Sequence, residues 1–195
     1  MPLITSEIRW FSAEKELLQE VFFMLNKPDE GIFEGERSDF YLKSGTTSAG
    51  IKIREGNHEL KVKTAEDEEL ALGTIQHWAK WSYQEPQNIL KLVNTGMLQE
   101  WVEVKKKRYK KIVSVEAGKI SFTSAEDVKE KCEIEFTEFK IPSIPHRIFT
   151  LGVEASGNNE RQNLKLALQK LPFPETSLKN LRSCSYPEFL DMPGI

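Results

Sequence analysis

Cysteine is scarce: Cys132 and Cys184 are the only two in 195 residues. Two lone cysteines make neither a disulfide framework nor a CxxC zinc pair. The three histidines, His58, His77 and His146, are scattered, and none has metal-ligand spacing to a cysteine or another histidine. No apolar run approaches the roughly 18 residues of a membrane span. The opening MPLITSEIRW lacks the basic and long apolar regions of a signal peptide, so the chain reads as cytoplasmic, with no membrane partner. The phosphate loop GxxxxGK[ST] and the nucleophile elbow GxSxG are both absent, and KSGTTS at 43–48 resembles the former only superficially. An excess of positive charge is also missing: 27 Lys and Arg face 30 Asp and Glu, for a net charge of −3. The protein is therefore no polycation, and its local basic clusters carry more information than the sum. No repeat, low-complexity tract or shift in composition divides the chain, and its length suits one domain, 1–195, with a substantial core.

What the sequence has in quantity is alternation. TSEIRWF, 5–11, reads as a strand with Ile8 and Trp10 on one face and Glu7, Arg9 and Phe11 on the other. Ser12 suits a helix cap, and Leu17, Leu18, Val21, Phe22 and Leu25 follow at helical spacing until Pro28. SDFYLK, 38–43, reads as a second strand, and a hairpin with arms at 51–55 and 59–64 turns at Glu55-Gly56-Asn57-His58. AEDEEL, 65–70, reads as a solvated connection or helical turn, GTIQHWAKWSY at 73–83 as a strand, and 86–98 as a short helix. Further strands are expected at 101–113, about 115–122, 131–141 and 147–155, with IPSIPH as a turn before the last. Helices are expected at about 157–171 and from about Ser177, and SYPEFL closes the chain. Eight or nine strands in mostly antiparallel order predict a closed or nearly closed sheet.

The alternation sorts charge by face. Lys52 and Arg54 share one face of the hairpin's first arm, and Lys61 and Lys63 share one face of the second. Lys106 and Arg108 repeat the pattern further along, and Lys80 is in phase with Trp78. On a single strand, lysine on a wet face needs no explanation. If the sheet closes, one face becomes an interior, where like charges repel and are costly to desolvate unless an anion offsets them. Such a lumen suits a small, multiply charged phosphorylated anion. Carboxylates come from other strands: Glu7, then Glu133 and Glu135 with Thr137, and Glu154 in phase with Thr150 and Gly152. On the same interior they would hold Mg²⁺ or Mn²⁺, which prefer oxygen ligands, or else form ion pairs with the lysines. KKKRYKK, 105–111, invites a nucleic-acid reading. A strand splits those charges between two faces, however, and the acidic balance argues against that partner.

The order of these pieces resembles the CYTH superfamily, also called triphosphate tunnel metalloenzymes. The matching pieces are EIRWF, DFYLK, IKIRE, LKVK, KKR at 106–108, CEIEFT, TLGVEA and the closing SCSYPEFL. The resemblance covers nearly the whole chain, although each motif is short. It implies an α+β fold: an antiparallel eight-stranded closed or nearly closed β-barrel forming a tunnel, with helices packed outside. It also implies metal-dependent hydrolysis of an inorganic, thiamine or nucleoside triphosphate, or nucleotide cyclisation as in one class of adenylate cyclases. Lys52, Arg54, Lys61, Lys63, Lys80, Lys106 and Arg108 would bind phosphate, and Glu7, Glu133, Glu135 and Glu154 would hold Mg²⁺ or Mn²⁺.

One departure changes the expectation. The family's first strand runs ExExK, whereas this chain has Glu7-Ile8-Arg9-Trp10-Phe11. Arg9 and Phe11 stand where a second glutamate and a lysine are expected. An arginine there adds positive charge where the metal would sit, which opposes metal binding. The alternatives are a catalytically weak or inactive member that binds a nucleotide or polyphosphate, and a generic β-barrel with another ligand. The sequence identifies neither the phosphorylated ligand nor the oligomeric state.

Overall fold

The computed structural model describes residues 1–25, 31–43, 45–84 and 101–192. The helix expected at 86–98 lies outside the described residues. Eight antiparallel strands close into a barrel: β1 (Leu3–Ser12), β2 (Ile32–Leu42), β3 (Ala49–Arg54), β4 (Asn57–Lys63), β6 (Gly73–Gln84), β7 (Trp101–Glu116), β9 (Lys131–Lys140) and β10 (Ile148–Ser156). Around the ring the order is β1-β10-β9-β7-β2-β3-β4-β6, and a ladder between β6 and β1 seals it. Closure leaves the barrel strands without a free edge. Three short strands attach at its rims: β5 (Glu68–Leu70) on β6, β8 (Lys119–Thr123) on β7, and β11 (Arg182–Ser183) on β1. Thus 68–70, expected as a connection, pairs as a strand, and β2 begins earlier than the SDFYLK pattern suggested. The expected strand at 115–122 is a hairpin instead: Ala117 and Gly118 take φ of 48° and 75° between β7 and β8. Glu55 and Gly56, at 49° and 78°, turn β3 into β4 in the same manner. Two consecutive positive φ values match the right-handed twist of paired strands.

The two faces of each barrel strand have different fates. On β1, Ile8 and Trp10 point outward and are buried beneath helices α1 (Lys15–Met24) and α2 (Glu160–Lys170). Leu18, Val21 and Phe22 of α1, and Leu164, Ala167 and Leu168 of α2, pack there with Ile134, Phe136, Leu151 and Val153. Burying each large side chain contributes about 1.5–3 kcal/mol, so this outer layer is the main apolar core. Trp10 donates its indole N–H to the Leu72 carbonyl at 2.6 Å, which satisfies its one polar atom. Among the described residues no helix is long and apolar enough to cross a membrane.

The inner face holds a second apolar cluster at one end only. The short helix α3 (Glu175–Leu178) leads to β11 and then to α4 (Tyr186–Leu190), where the segment SYPEFL plugs the barrel. Phe11 stacks on Phe189 with ring centres 4.2 Å apart, and Tyr41 stacks on Tyr186 at 5.6 Å. A Cβ at Gly50 of β3 would lie 2.4 Å from Pro187, so glycine lets the plug approach the wall. The lumen is therefore a cup with an aromatic floor.

Candidate functional site

The cup is a cavity of about 670 Å³. Alternation decides its lining. Every second residue of a strand faces inward, so the cavity receives Glu7 and Arg9 from β1, Arg37 and Tyr41 from β2, and Lys52 and Arg54 from β3. It receives Lys61 from β4, Lys80 from β6, Lys106 and Arg108 from β7, Glu133 and Glu135 from β9, and Gly152 and Glu154 from β10. Of the seven cations expected to meet there, six do. Lys63 corrects the expectation: it is in phase with Lys61 but lies beside Trp78, away from the cavity, and bonds Asp67 at 2.7 Å. All four expected glutamates line the cavity.

Lysine and arginine provide eight of the lining residues and glutamate seven, so the charges nearly balance. Each cation has a carboxylate partner. Lys52 and Arg54 share Glu59 at 2.8 and 2.5 Å. Lys61 meets Glu7 at 2.9 Å, and Lys80 bridges Glu154 and Glu7. Arg108 joins Glu135 to Glu34. Lys106 lies deepest: it pairs with Asp39 at 2.9 Å, donates to the Tyr41 hydroxyl at 2.6 Å, and stands 3.8 Å from the centre of the Tyr186 ring.

The titration behaviour follows from this burial. Burial pushes the Lys52, Lys61 and Lys106 ammonium groups down to about 8, despite partial compensation by Glu59, Glu7 and Asp39 respectively. For Lys80 burial acts in the same direction, but Glu154 and Glu7 outweigh it and raise the group. Burial opposes ionisation of Glu7 and Glu135, yet both are held far below the usual carboxylate range, the first chiefly by Lys61 and Lys80, the second chiefly by Arg108 and Arg9. Burial also raises the Tyr186 hydroxyl to about 12, which keeps it a neutral donor.

Several site residues escaped the sequence reading. Asp39, fully buried, also accepts from Arg37 at 3.1 Å. Asp39 lies behind the lining, whereas Tyr41, Arg37, Glu34, Glu59 and Tyr186 line the cavity itself. For three of them the pattern Arg37-Ser38-Asp39-Phe40-Tyr41 was a usable signal, because alternation puts the arginine, aspartate and tyrosine on one face. Arg9, the departure from the ExExK pattern, lies inside the cup. Its guanidinium donates to Glu135 at 2.9 Å and Thr150 at 3.1 Å, and lies 4.8 Å from the Tyr186 ring centre. A Cβ at Gly152 would lie 2.7 Å from that guanidinium. Gly152→Ala is therefore expected to push the guanidinium off Glu135 and Thr150 and to cost about 1–3 kcal/mol through those lost hydrogen bonds, measurable as a lowered urea midpoint with unchanged slope.

Register bears on whether a metal fits. Glu7, Glu154 and Glu133 are lateral neighbours on β1, β10 and β9, and Arg9, Gly152 and Glu135 form the next row. A divalent cation would belong near these rows, and it needs several carboxylates turned to one point. They are turned apart instead: Glu7 to Lys61, Glu154 to Lys80, Glu133 to Lys131 at 2.8 Å, and Glu135 to Arg9 and Arg108. Among the described residues no three His, Cys, Asp or Glu side chains gather at metal-binding distance. The arrangement does not fit a resident metal ion.

The fold and cavity define a class: a closed antiparallel β-barrel with a charged lumen plugged at one end. No protein-family model and no curated protein matches the sequence. Two solved structures are similar to it over nearly its whole length. One is a conserved hypothetical protein from Pyrococcus furiosus, 13% identical, covering 94% of this chain and 98% of that one, with a TM-score of 0.48. The other is the PH1012 protein from Pyrococcus horikoshii OT3, 13% identical, covering 96% and 98%, with a TM-score of 0.46. At these scores neither likeness bears on function.

Proposed function

We propose that this protein binds a small, multiply charged phosphorylated anion, a polyphosphate or a nucleotide, in the cup of a CYTH-like barrel. The observation that carries the reading is the convergence of cations from six of the barrel strands, β1, β2, β3, β4, β6 and β7, on one cavity. Folding alone does not call for this. Desolvating so many charges costs more than their pairing returns, and apolar residues would fill a lumen more stably. The near balance of charge means that the anion enters by exchange. Glu59 and Glu154, with side chains 22% and 29% exposed, turn to water while Lys52, Arg54 and Lys80 take phosphate oxygens. Arg108 provides the planar fork that suits such oxygens. The Nε–H groups of Arg9 and Arg108 have no hydrogen-bond acceptor among the described residues, so neither guanidinium is saturated by its carboxylates.

Titration calorimetry with tripolyphosphate tests this. Binding is expected, and Arg108→Ala is expected to weaken it by about tenfold to a hundredfold, as for loss of a charge-assisted pair. Equal affinity in the variant, or no binding by the wild type, would sink the reading. Metal-dependent hydrolysis or cyclisation is the second reading, with a metal that arrives on the triphosphate rather than a resident one; it is favoured by Glu7, Glu133, Glu135 and Glu154 lining the same cavity. Release of phosphate, or a cyclic product from ATP, with Mg²⁺ or Mn²⁺ would establish it. A cytoplasmic setting, where phosphorylated metabolites abound, is consistent with either.

A further inference from the structure

Arg9 has a prepared seat in the barrel. Gly152, directly opposite it on β10, leaves the space that a methyl group would fill, and the Arg9 guanidinium lies against that backbone. Thr150 and Glu135 accept its hydrogen bonds from two neighbouring strands, and the Tyr186 ring covers it from the plug. Its charge also acts on Glu7, one row away on its own strand. A guanidinium held on four sides is a fixed positive charge, and it stands beside the carboxylate row where a divalent cation would otherwise be needed. Lys61 and Lys80 neutralise Glu7 and Glu154 of that row, and Lys131 pairs with Glu133. We infer that Arg9 is the cavity's built-in counter-ion, so that the phosphorylated anion is bound without a divalent metal.

This inference rests on the anion-binding reading, and its test separates the two. Mn²⁺ is titrated into the free protein, without any anion, and followed by the loss of its EPR signal. The wild type is expected to take up no Mn²⁺ below about 1 mM, because the carboxylates that would coordinate it are tied to side-chain cations. Arg9→Gln releases one oxygen of Glu135, whose other oxygen stays with Arg108, and removes the repelling charge, so Mn²⁺ uptake is expected to tighten by at least about tenfold. Gly152→Ala, which drives the guanidinium from its seat, serves if Arg9→Gln fails to fold, and is expected to tighten uptake in the same direction. Wild-type uptake of Mn²⁺ at micromolar levels would overturn the inference, whatever the variants do. In parallel, tripolyphosphate is titrated in EDTA, where wild-type binding is expected to persist and Arg9→Gln to lose about tenfold in affinity. Binding that appears only when Mn²⁺ is supplied would overturn the inference and leave anion binding standing. No binding under either condition would sink the anion reading, and the free-protein titration would still decide whether Arg9 excludes the metal.

Discussion

Asp39→Asn is expected to destabilise the protein by about 3 kcal/mol at pH 7, among the largest effects of any single change around the cavity. Asp39 is fully buried and faces two cations, Lys106 at 2.9 Å and Arg37 at 3.1 Å. Removing its charge leaves Lys106 as a buried ammonium whose remaining neighbours are mainly a hydroxyl and two aromatic rings. Lysine sheds its proton readily when buried, which keeps the cost toward the lower end of the range for broken buried pairs. Urea denaturation gives the number. The double variant Asp39→Asn/Lys106→Met should recover part of the loss, because the buried ammonium is then gone and only Arg37, whose side chain is 17% exposed, lacks its carboxylate. A single-variant cost under about 1 kcal/mol would mean that the pair contributes no more than an exposed one. The same aspartate predicts acid sensitivity. Burial opposes its ionisation, but Lys106, Lys52 and Arg37 hold it well below its unfolded value. Its contribution is therefore complete above the unfolded value near pH 4 and is lost as pH falls through the folded one. The stability of Asp39→Asn should consequently fall less steeply than that of the wild type below pH 4.

The closed barrel was legible because its signal is periodic. Lys52 and Arg54, Lys61 and Lys63, and Lys106 and Arg108 each sit two apart, and a closed sheet turns period two into inside and outside. The same rule placed Glu7, Glu133, Glu135 and Glu154 on the cavity side. It misjudged Lys63, because phase gives the face but not the depth along the strand. That lysine is one step beyond Lys61, beside Trp78, and pairs with Asp67. Along the sequence Asp39 is just one strand residue, since its importance depends on a lysine 67 positions away that becomes its neighbour through the β2–β7 ladder. The floor was illegible for a related reason. SYPEFL is short and capped by Ser185, but nothing in six residues says that they enter the barrel and bring Tyr186 onto Arg9. Arg9 itself was visible as an anomaly, whereas its seat on Gly152 required the register of β1 with β10.

Tripolyphosphate affinity is expected to fall by about a hundredfold or more between pH 7 and pH 10, roughly tenfold for each cavity lysine that loses its charge. Burial lowers Lys52, Lys61 and Lys106 to about 8 in the free protein, against an unfolded value of 10.5. Below pH 8 all three are cations facing the cavity, and above it they become neutral amines. A bound polyanion favours the charged forms, so binding between pH 8 and 10 should draw protons from solution, detectable calorimetrically as a heat that depends on the buffer. The ligand's own last ionisation runs the other way, and Lys106→Met isolates the protein's part. Its plot of log affinity against pH should be shallower than the wild type's by up to one proton, whatever the ligand does. Equal slopes would show that Lys106 does not feel the anion. Stability of the free protein carries the opposite sign. Across the window from 8 to 10.5 the unfolded chain holds more protons on these lysines than the folded one, so their contribution to stability rises with pH. A cavity that holds the fold better as it loses its charge, and binds its anion worse, has charges placed for the ligand. If affinity and stability instead rose together with pH, the lysines would belong to the scaffold alone.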